Sequence, residues 1–394
     1  MKSNKYELLA PAGDFQCLIA AINAGADAIY FGLQEFNMRQ RAKNFKISDL
    51  QKIKKICQQK NIQAYLTLNT IIYDNEIKKL DSLIKKVKPF VNAIICSDIA
   101  VMQLCKRYKI PFHVSTQCSI SNTETAKFYK KLGAERIVLA RELSLAQIKK
   151  IAKIIPVEIF IHGAMCASVS GRCFLSQQMF KQSANKGLCV QPCRREYIVK
   201  DPEGNELKVN NNFIFSAKDL CTLPFFEKIK KSGVIAFKIE GRNREPEYVD
   251  TVVKTYRKAI DKKLSKQEIK NSLKELNNVY NKGFSSGFYL GTPTSDDYSK
   301  TEHSSATCTK QFIGKIIHYY DKIEVGLLKL NTGNLKLGDE IIILGKTTGI
   351  KKAKIETMEL EHKPINQAIK GQIIGLKLPK CRKNNDLYKI IEKR

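Results

Sequence analysis

Eight short apolar stretches, most of them followed by a segment of helical periodicity, recur along the first two thirds of the chain and leave few folds open. They are YELLAP from Tyr6, AIYFG from Ala28, QAYLTLN from Gln63, AIICSD from Ala93, PFHVST from Pro111, ERIVLAR from Glu135, VEIFIHG from Val157 and AFKIEGR from Ala236. Between most of them, segments such as ISDLQKIKKICQQK and SLAQIKKIAKII place apolar residues at i, i+3 and i+4, with Ser48 and Ser144 as N-cap candidates. Strands that alternate with helices return in the same direction, so the pattern predicts a parallel sheet with right-handed crossovers. Eight such units over about 240 residues predict an α/β fold, a TIM-like (β/α)8 barrel over 1–260, with an open doubly wound sheet as the other solution.

Barrels of this kind carry their chemistry at the C-terminal ends of the strands. Those ends read, in order, Pro11 and Gly13; Gly32, with Asn37, Arg39 and Arg41 just beyond; Asn69; Asp98; Thr116 and Gln117; Arg141 and Glu142; His162; and Glu240 with Arg242. One shared polar mouth is predicted. Its catalytic candidates are Arg141, Glu142, Glu240 and Arg242, and its substrate-binding candidates are Arg39, Arg41, Asn69, Gln117, His162 and Lys238. The planar fork of arginine pairs bidentately with carboxylate or phosphate, and a glutamate beside it can orient it or move a proton. Each arginine fits a structural ion pair equally well.

The segment after the seventh strand, 163–221, is far longer than the other connections and holds Cys166, Cys173, Cys189 and Cys193 in the pattern C-x6-C-x15-C-x3-C. No opening run has the composition of a leader peptide, and no stretch approaches the roughly 18 consecutive apolar residues of a membrane span. The chain therefore reads as soluble and cytoplasmic, where clustered thiols are metal ligands or reactive groups more often than disulfides. Zinc modules favour C-x2-C pairs, which this window lacks, although Cys189 and Cys193 can still meet on one turn. An iron–sulfur cluster asks only that four thiolates converge. Gly163, Gly171 and Gly187 would let the backbone wrap closely, and Arg172, Arg194 and Arg195 would offset thiolate charge. Unrelated buried cysteines are the bland alternative, and that reading is adopted for Cys17, Cys57, Cys96, Cys105, Cys118, Cys308 and Cys381.

A formal net charge of +30, from 68 Lys and Arg against 38 Asp and Glu, points to a polyanionic partner, although a chain rich in Lys, Asn and Ile throughout also reflects base composition. No Walker loop, G-x-G-x-x-G or H-E-x-x-H occurs. GFSSG at 283–287 matches G-x-S-x-G, but it follows a polar helix instead of a strand, so a catalytic serine is not expected. After a helix beginning at Arg244, a helical and Gly/Ser-rich connector over 261–306 leads into 307–394. There six short alternating strands from Phe312 predict a small all-β barrel.

The segments ELLAPAGD, AGADAIYFGLQEFNMRQRAKNF, STQCSISN, ERIVLARELSL, HGAMCASVSGRCFLS, CVQPCRREY, FSAKDLC and FKIEGRNREPEYVDTVVKTYRKAID resemble, in order, the motifs of peptidase family U32, the collagenase-like proteases. The C-terminal module is similar to domain 2 of elongation factors. Length and layout resemble the bacterial tRNA hydroxylation branch of that family, which implies a tRNA uridine 5-hydroxylase acting in the anticodon region at the wobble position. The resemblance further implies an iron–sulfur cluster, 4Fe–4S in type, and the dicarboxylate prephenate as hydroxyl donor. It places cluster ligands on Cys166, Cys173 and Cys189, with Cys193 first and Cys221 second for the fourth position. Val169 stands where the family usually has an aromatic, and Arg195 where a Trp often follows. A peptidase, an rRNA cytidine hydroxylase and a noncatalytic RNA-binding module are the other functions considered, with any electron donor or partner subunit left open.

Overall fold

The computed structural model describes residues 6–206, 213 and 215–393. The strands of its first part are β1 (Glu7–Pro11), β2 (Ala28–Phe31), β3 (Gln63–Leu68), β4 (Ala93–Cys96), β5 (Phe112–Val114), β6 (Arg136–Val138), β7 (Val157–Gly163), β8 (Asp219–Cys221) and β9 (Ala236–Ile239). Strands β1 to β7 pair in sequence order, all in parallel, and β9 pairs in parallel with both β1 and β7. That double pairing closes an eight-stranded TIM-like barrel, and all eight predicted strands are present. The strand that was not predicted is β8, antiparallel to β7 through His162 and Cys221, with the two-residue β10 (Phe284–Ser285) beside it.

Around the barrel lie α1 (Phe15–Asn23), α2 (Leu50–Gln59), α3 (Ile77–Val87), α4 (Ile99–Arg107), α5 (Thr123–Leu132), α6 (Leu145–Ile151), α7 (Leu175–Phe180), α8 (Phe226–Lys230), α9 (Pro246–Asp261) and α10 (Lys266–Asn278). Ser144 caps α6 in a full capping box with Gln147. Ser48 does not cap α2. It lies inside a short 3-10 turn, because the Asp49 carboxylate accepts the Lys46 N–H at 2.8 Å and delays the helix to Leu50. No helix among the described residues is long and apolar enough to cross a membrane.

Inside the barrel, Leu9, Ala28, Tyr30, Tyr65, Ala93 and Ile95 form their own apolar cluster. At the N-terminal ends of the strands sits a buried ionic network. Glu158, fully buried, binds Lys238 Nζ at 2.8 Å and Arg136 Nη1 at 3.2 Å, and Arg136 also pairs with Glu7. Burial works against the Glu158 charge, yet Lys238 and Arg136 hold its carboxyl below the usual range.

The C-terminal part comprises β11 (Cys308–Tyr320), β12 (Val325–Leu330), β13 (Asn334–Lys336), β14 (Glu340–Gly345), β15 (Gly349–Lys354), β16 (Met358–Leu360), β17 (Lys363–Pro364), β18 (Gln367–Ile369), β19 (Ile373–Lys377) and β20 (Asp386–Glu392). Eight strands form an antiparallel sheet in the order β15-β14-β20-β11-β12-β19-β16-β17, and β13 and β18 form a ribbon that shares the same core through Leu335 and Ala368. The stretch AKIETMEL, expected as one strand, is divided between β15 and β16, because the Ile355 N–H turns to the Asp339 carbonyl at 2.9 Å. Ile342, Leu344 and Ile350 pack into the barrel's core instead of the module's, so the β14–β15 hairpin lies against α1 and α9.

Removing one partner of a buried ion network leaves the others charged and unpaired. Glu158→Ala is therefore expected to lower the stability of the barrel by about 3–5 kcal/mol, read as a lower urea midpoint at unchanged m-value.

Candidate active site at the barrel mouth

Glu240 follows β9 directly and stands at the centre of the mouth. Its Oε1 accepts from Arg39 Nη2 at 2.8 Å and Nε at 3.2 Å, and the Tyr30 hydroxyl, which donates to the Ile239 carbonyl at 2.8 Å, lies 3.5 Å from Oε2. Burial alone would raise the Glu240 carboxyl, but Arg39, Arg141 and Arg242 together hold it down at about 2. Arg242 is buried with Nη1 3.0 Å from Thr67 Oγ1, and burial, joined by Arg39, lowers its guanidinium to about 10. The Arg141 guanidinium lies 4.0 Å from the Phe160 ring centre, donates to the Ala164 carbonyl at 2.6 Å, and keeps a buried Nε without a hydrogen-bond partner. Asn69 Nδ2 lies 3.4 Å from both Ser115 Oγ and Gln117 Oε1.

These groups line a cavity of about 70 Å³ that includes Arg39, Asn69, Gln117, Arg141, Lys238, Glu240, Arg242 and Cys166. That is room for only a few waters. Its roof is the cysteine loop. Gly171 sits at φ +75°, where a Cβ would come within 2.5 Å of Gln117 Cγ, so only glycine fits there.

Three candidates are not brought to this cavity. His162 is buried among Tyr248, Tyr256 and Phe284, with Nδ1 3.4 Å from the Tyr256 hydroxyl, and burial followed by Arg244 lowers its imidazole to about 3. A register shift in β7 between Phe160 and His162 breaks the inward alternation and turns the ring toward α9. Glu142 is exposed, and Arg41, also exposed, bonds Gln182 on the loop. Tyr30 and Thr67, which strand-end reading missed, lie two residues before Gly32 and Asn69, so the period of two would have found them.

The four clustered cysteines gather beside the mouth. Cys166 lines the mouth cavity, and Cys189 lines an adjoining open cleft of about 660 Å³ with Arg39, Arg41, Arg195, Glu240 and Arg244. Burial raises the Cys189 thiol, Arg39 opposes it, and Cys166 and Cys173 add to the rise. Burial pushes Cys193 up to about 11, with Arg194 opposing and Cys166, Cys189 and Cys173 adding. Cys166 and Cys173 thus lie near enough to bear on the Cys189 and Cys193 thiols. Cys221 stands apart on β8, raised to about 11 by burial and 3.8 Å from the Tyr256 hydroxyl. Arg194 ties the loop together by donating to the Met165 carbonyl at 2.6 Å, to Ser216 Oγ at 3.2 Å and to the Ala217 carbonyl. Exposed Val169 makes no core contact, and Arg195 stacks 4.8 Å over Phe180. A set of four soft thiol donors fits an iron–sulfur or zinc centre. Among the described residues no three Cys, His, Asp or Glu side chains already stand in a metal-binding arrangement, so loading requires the loop side chains to close up. At 283–287, Ser285 lies on β10, but no helix follows, so the sharp strand-to-helix turn of a nucleophilic serine is absent there.

Residues 13–299 match peptidase family U32. The chain belongs to this family. A protein named collagenase from Porphyromonas gingivalis is 41% identical over 410 residues, covering 99% of each chain. The tRNA hydroxylation protein P1 of Bacillus subtilis is 34% identical over 357 residues, 87% of this chain and 84% of its own. The 23S rRNA 5-hydroxycytidine synthase of Escherichia coli is 37% identical over 264 residues, 66% of this chain and 40% of its own. Members of the U32 family thus carry names of two reaction classes on one framework.

The depressed Glu240 carboxyl makes a pH prediction. Its charge is favoured by folding, so it adds stability above its ordinary value near 4.5, and that stability is lost as the pH falls toward about 2. Thermal melting of Glu240→Gln is expected to show a shallower fall across this window than the parent protein.

Proposed function

We propose that this U32 protein is an RNA-modifying enzyme that hydroxylates carbon 5 of the tRNA wobble uridine, with a 4Fe–4S cluster on Cys166, Cys173, Cys189 and Cys193 and prephenate as hydroxyl donor. The observation that carries the reading is the juxtaposition of the loop that holds the four cysteines, with Cys166 at the mouth and Cys189 at the adjoining cleft, and a mouth where Arg39, Arg141 and Arg242 face the single carboxylate of Glu240. Three guanidinium groups against one carboxylate leave positive charge to spare for a dicarboxylate. The relatives named for tRNA and rRNA hydroxylation support the same class of reaction. When bound, the cluster would supply the one-electron chemistry that side chains lack. The chain's own residues bind and orient. Arg39 is fixed by Glu240, Arg141 offers its unpartnered Nε, and the roof at Gly171, packed on Gln117, narrows the mouth.

A uracil reaches such a pocket only when unpaired and flipped out, as anticodon bases can be. The excess of basic residues would hold the tRNA backbone, which places the enzyme in the cytoplasm with its substrate. Anaerobic purification is expected to give a brown protein with about four iron and four sulfide per chain. Cys173→Ala is expected to be colourless and inactive in a 5-hydroxyuridine assay with prephenate. A colourless, iron-free parent protein would overturn the cluster. The affinity for tRNA is expected to fall steeply between about 50 and 200 mM salt, and a flat dependence would remove the argument from charge.

The relative named collagenase favours a second reading, a peptidase. It requires cleavage of collagen-like peptides that survives removal of iron. Hydroxylation of an rRNA cytidine is separated from the tRNA reading by mass analysis of both RNAs from a deletion strain.

A further inference from the structure

Between the barrel and the β module lies a second cavity, of about 470 Å³, large enough for a nucleoside. Its wall includes Arg244, Tyr248, Tyr280, Ile342 and Ile390, so both parts of the chain build it. Arg244 also lines the open cleft beside Cys189, which shares Arg39 and Glu240 with the mouth. One arginine therefore stands where the two spaces meet.

The state of that arginine is unusual. Its guanidinium carbon lies 3.6 Å from the centre of the Tyr280 ring and 5.8 Å from that of Tyr248, so aromatic faces hold it in place. Among the described residues its side chain has no hydrogen bond and no ion pair within 4 Å, and buried Asp219 feels its charge only from beyond that distance. All five N–H donors of a half-buried guanidinium are left for something else. Of the three carboxylates on the cavity wall, Glu247 and Glu245 lie 2.6 and 3.8 Å from Lys310, and Glu340 stands on the module's side beside Lys352 and Lys393 of the same wall.

We propose that Arg244 anchors the phosphodiester between two nucleotide subsites, one in the open cleft beside the mouth and one in the cavity between barrel and module, where the neighbouring base packs on the Tyr280–Arg244 pair. The ligand is an unpaired stretch of RNA, so the inference rests on the RNA reading above and extends it to a second nucleotide. Guanidinium forks suit phosphate, and a planar tyrosine–arginine pair suits any base, since every base has a flat face.

The test is fluorescence anisotropy of the full chain with a labelled anticodon stem-loop RNA across a salt series. Arg244→Ala is expected to bind at least about five-fold more weakly and to flatten the log–log salt dependence by about 0.7, the share of one single-stranded phosphate. Arg244→Lys should restore the slope without the full affinity. With the parent protein, an abasic site next to the target uridine is expected to cost about five-fold or more on one side, and Tyr280→Ala should bind parent and abasic RNA alike. Unchanged slope in Arg244→Ala, together with abasic RNAs on either side binding like the parent RNA, would overturn the subsite and leave the RNA reading standing. Failure of the parent protein to bind the RNA at any salt would overturn both.

Discussion

The closure of the sheet by β9 is the constraint on which the site depends. This strand arrives after the whole excursion that carries the cysteines, yet it inserts between β1 and β7 and pairs with both. At the seam, Lys238 of β9 meets Glu158 of β7 at 2.8 Å, a charge pair that would be costly to bury in any other register. Slipping β9 by one residue would point Lys238 out of the barrel and leave Glu158 facing Arg136 alone. With the register fixed, the two residues that follow in the same phase, Glu240 and Arg242, must enter the mouth beside Arg39 from the β2 connection and Arg141 from β6. Specificity of closure and assembly of the site are thus one event.

The electrostatics of the mouth follow from that assembly. A carboxylate brought out of water becomes more basic unless cations overcome the loss, and three guanidinium groups do so at Glu240. The converse holds for Arg242, whose burial beside Arg39 weakens its hold on the proton. Each group makes the other tolerable, which explains why so much charge survives behind a roof. Lys238, though it borders the same cavity, is committed to Glu158 and contributes little free charge.

Much of this was legible in the sequence, for physical reasons that also mark its limits. The eight barrel strands could be read because each is short and apolar and most are followed by a helix of clear period. Strand β8 could not, since Asp-Leu-Cys is no longer than β5 or β6 but lies in the polar setting of Lys218, Asp219 and Thr222, without the apolar run that marks those two. Of the candidates read at strand ends, the structure brings Arg39, Asn69, Gln117, Arg141, Lys238, Glu240 and Arg242 to the mouth cavity. Strand-end reading fails at His162, where a local register shift, invisible in composition, reverses the side chain. Proximity in sequence located the four thiols. That Cys221 is held apart from them depends on its pairing with His162 across β7, a long-range fact. Arg244 is not marked by the strand-end rule, which stops at the first polar residues, whereas the contacts around it come from a tyrosine 36 positions later and a module further on.

The roof over the mouth determines what can use it. With Gly171 against Gln117 and Arg194 clamping Met165 to Ala217, the loop leaves a cavity of about 70 Å³, too small for a whole substrate. Entry has to come from the side, through the cleft bordered by Arg39, Cys189, Arg195 and Arg244. An extended single-stranded polymer can lay one unit in this cleft, of about 660 Å³, with its charged backbone against Arg39, Arg195 and Arg244. The module then has a positional reason to be where it is. By packing Ile342, Leu344 and Ile350 into the barrel's own core, it fixes a second wall at a set distance from Arg244. A freely tethered module could supply charge to such a rim, but only a docked one can hold the space open at a constant width.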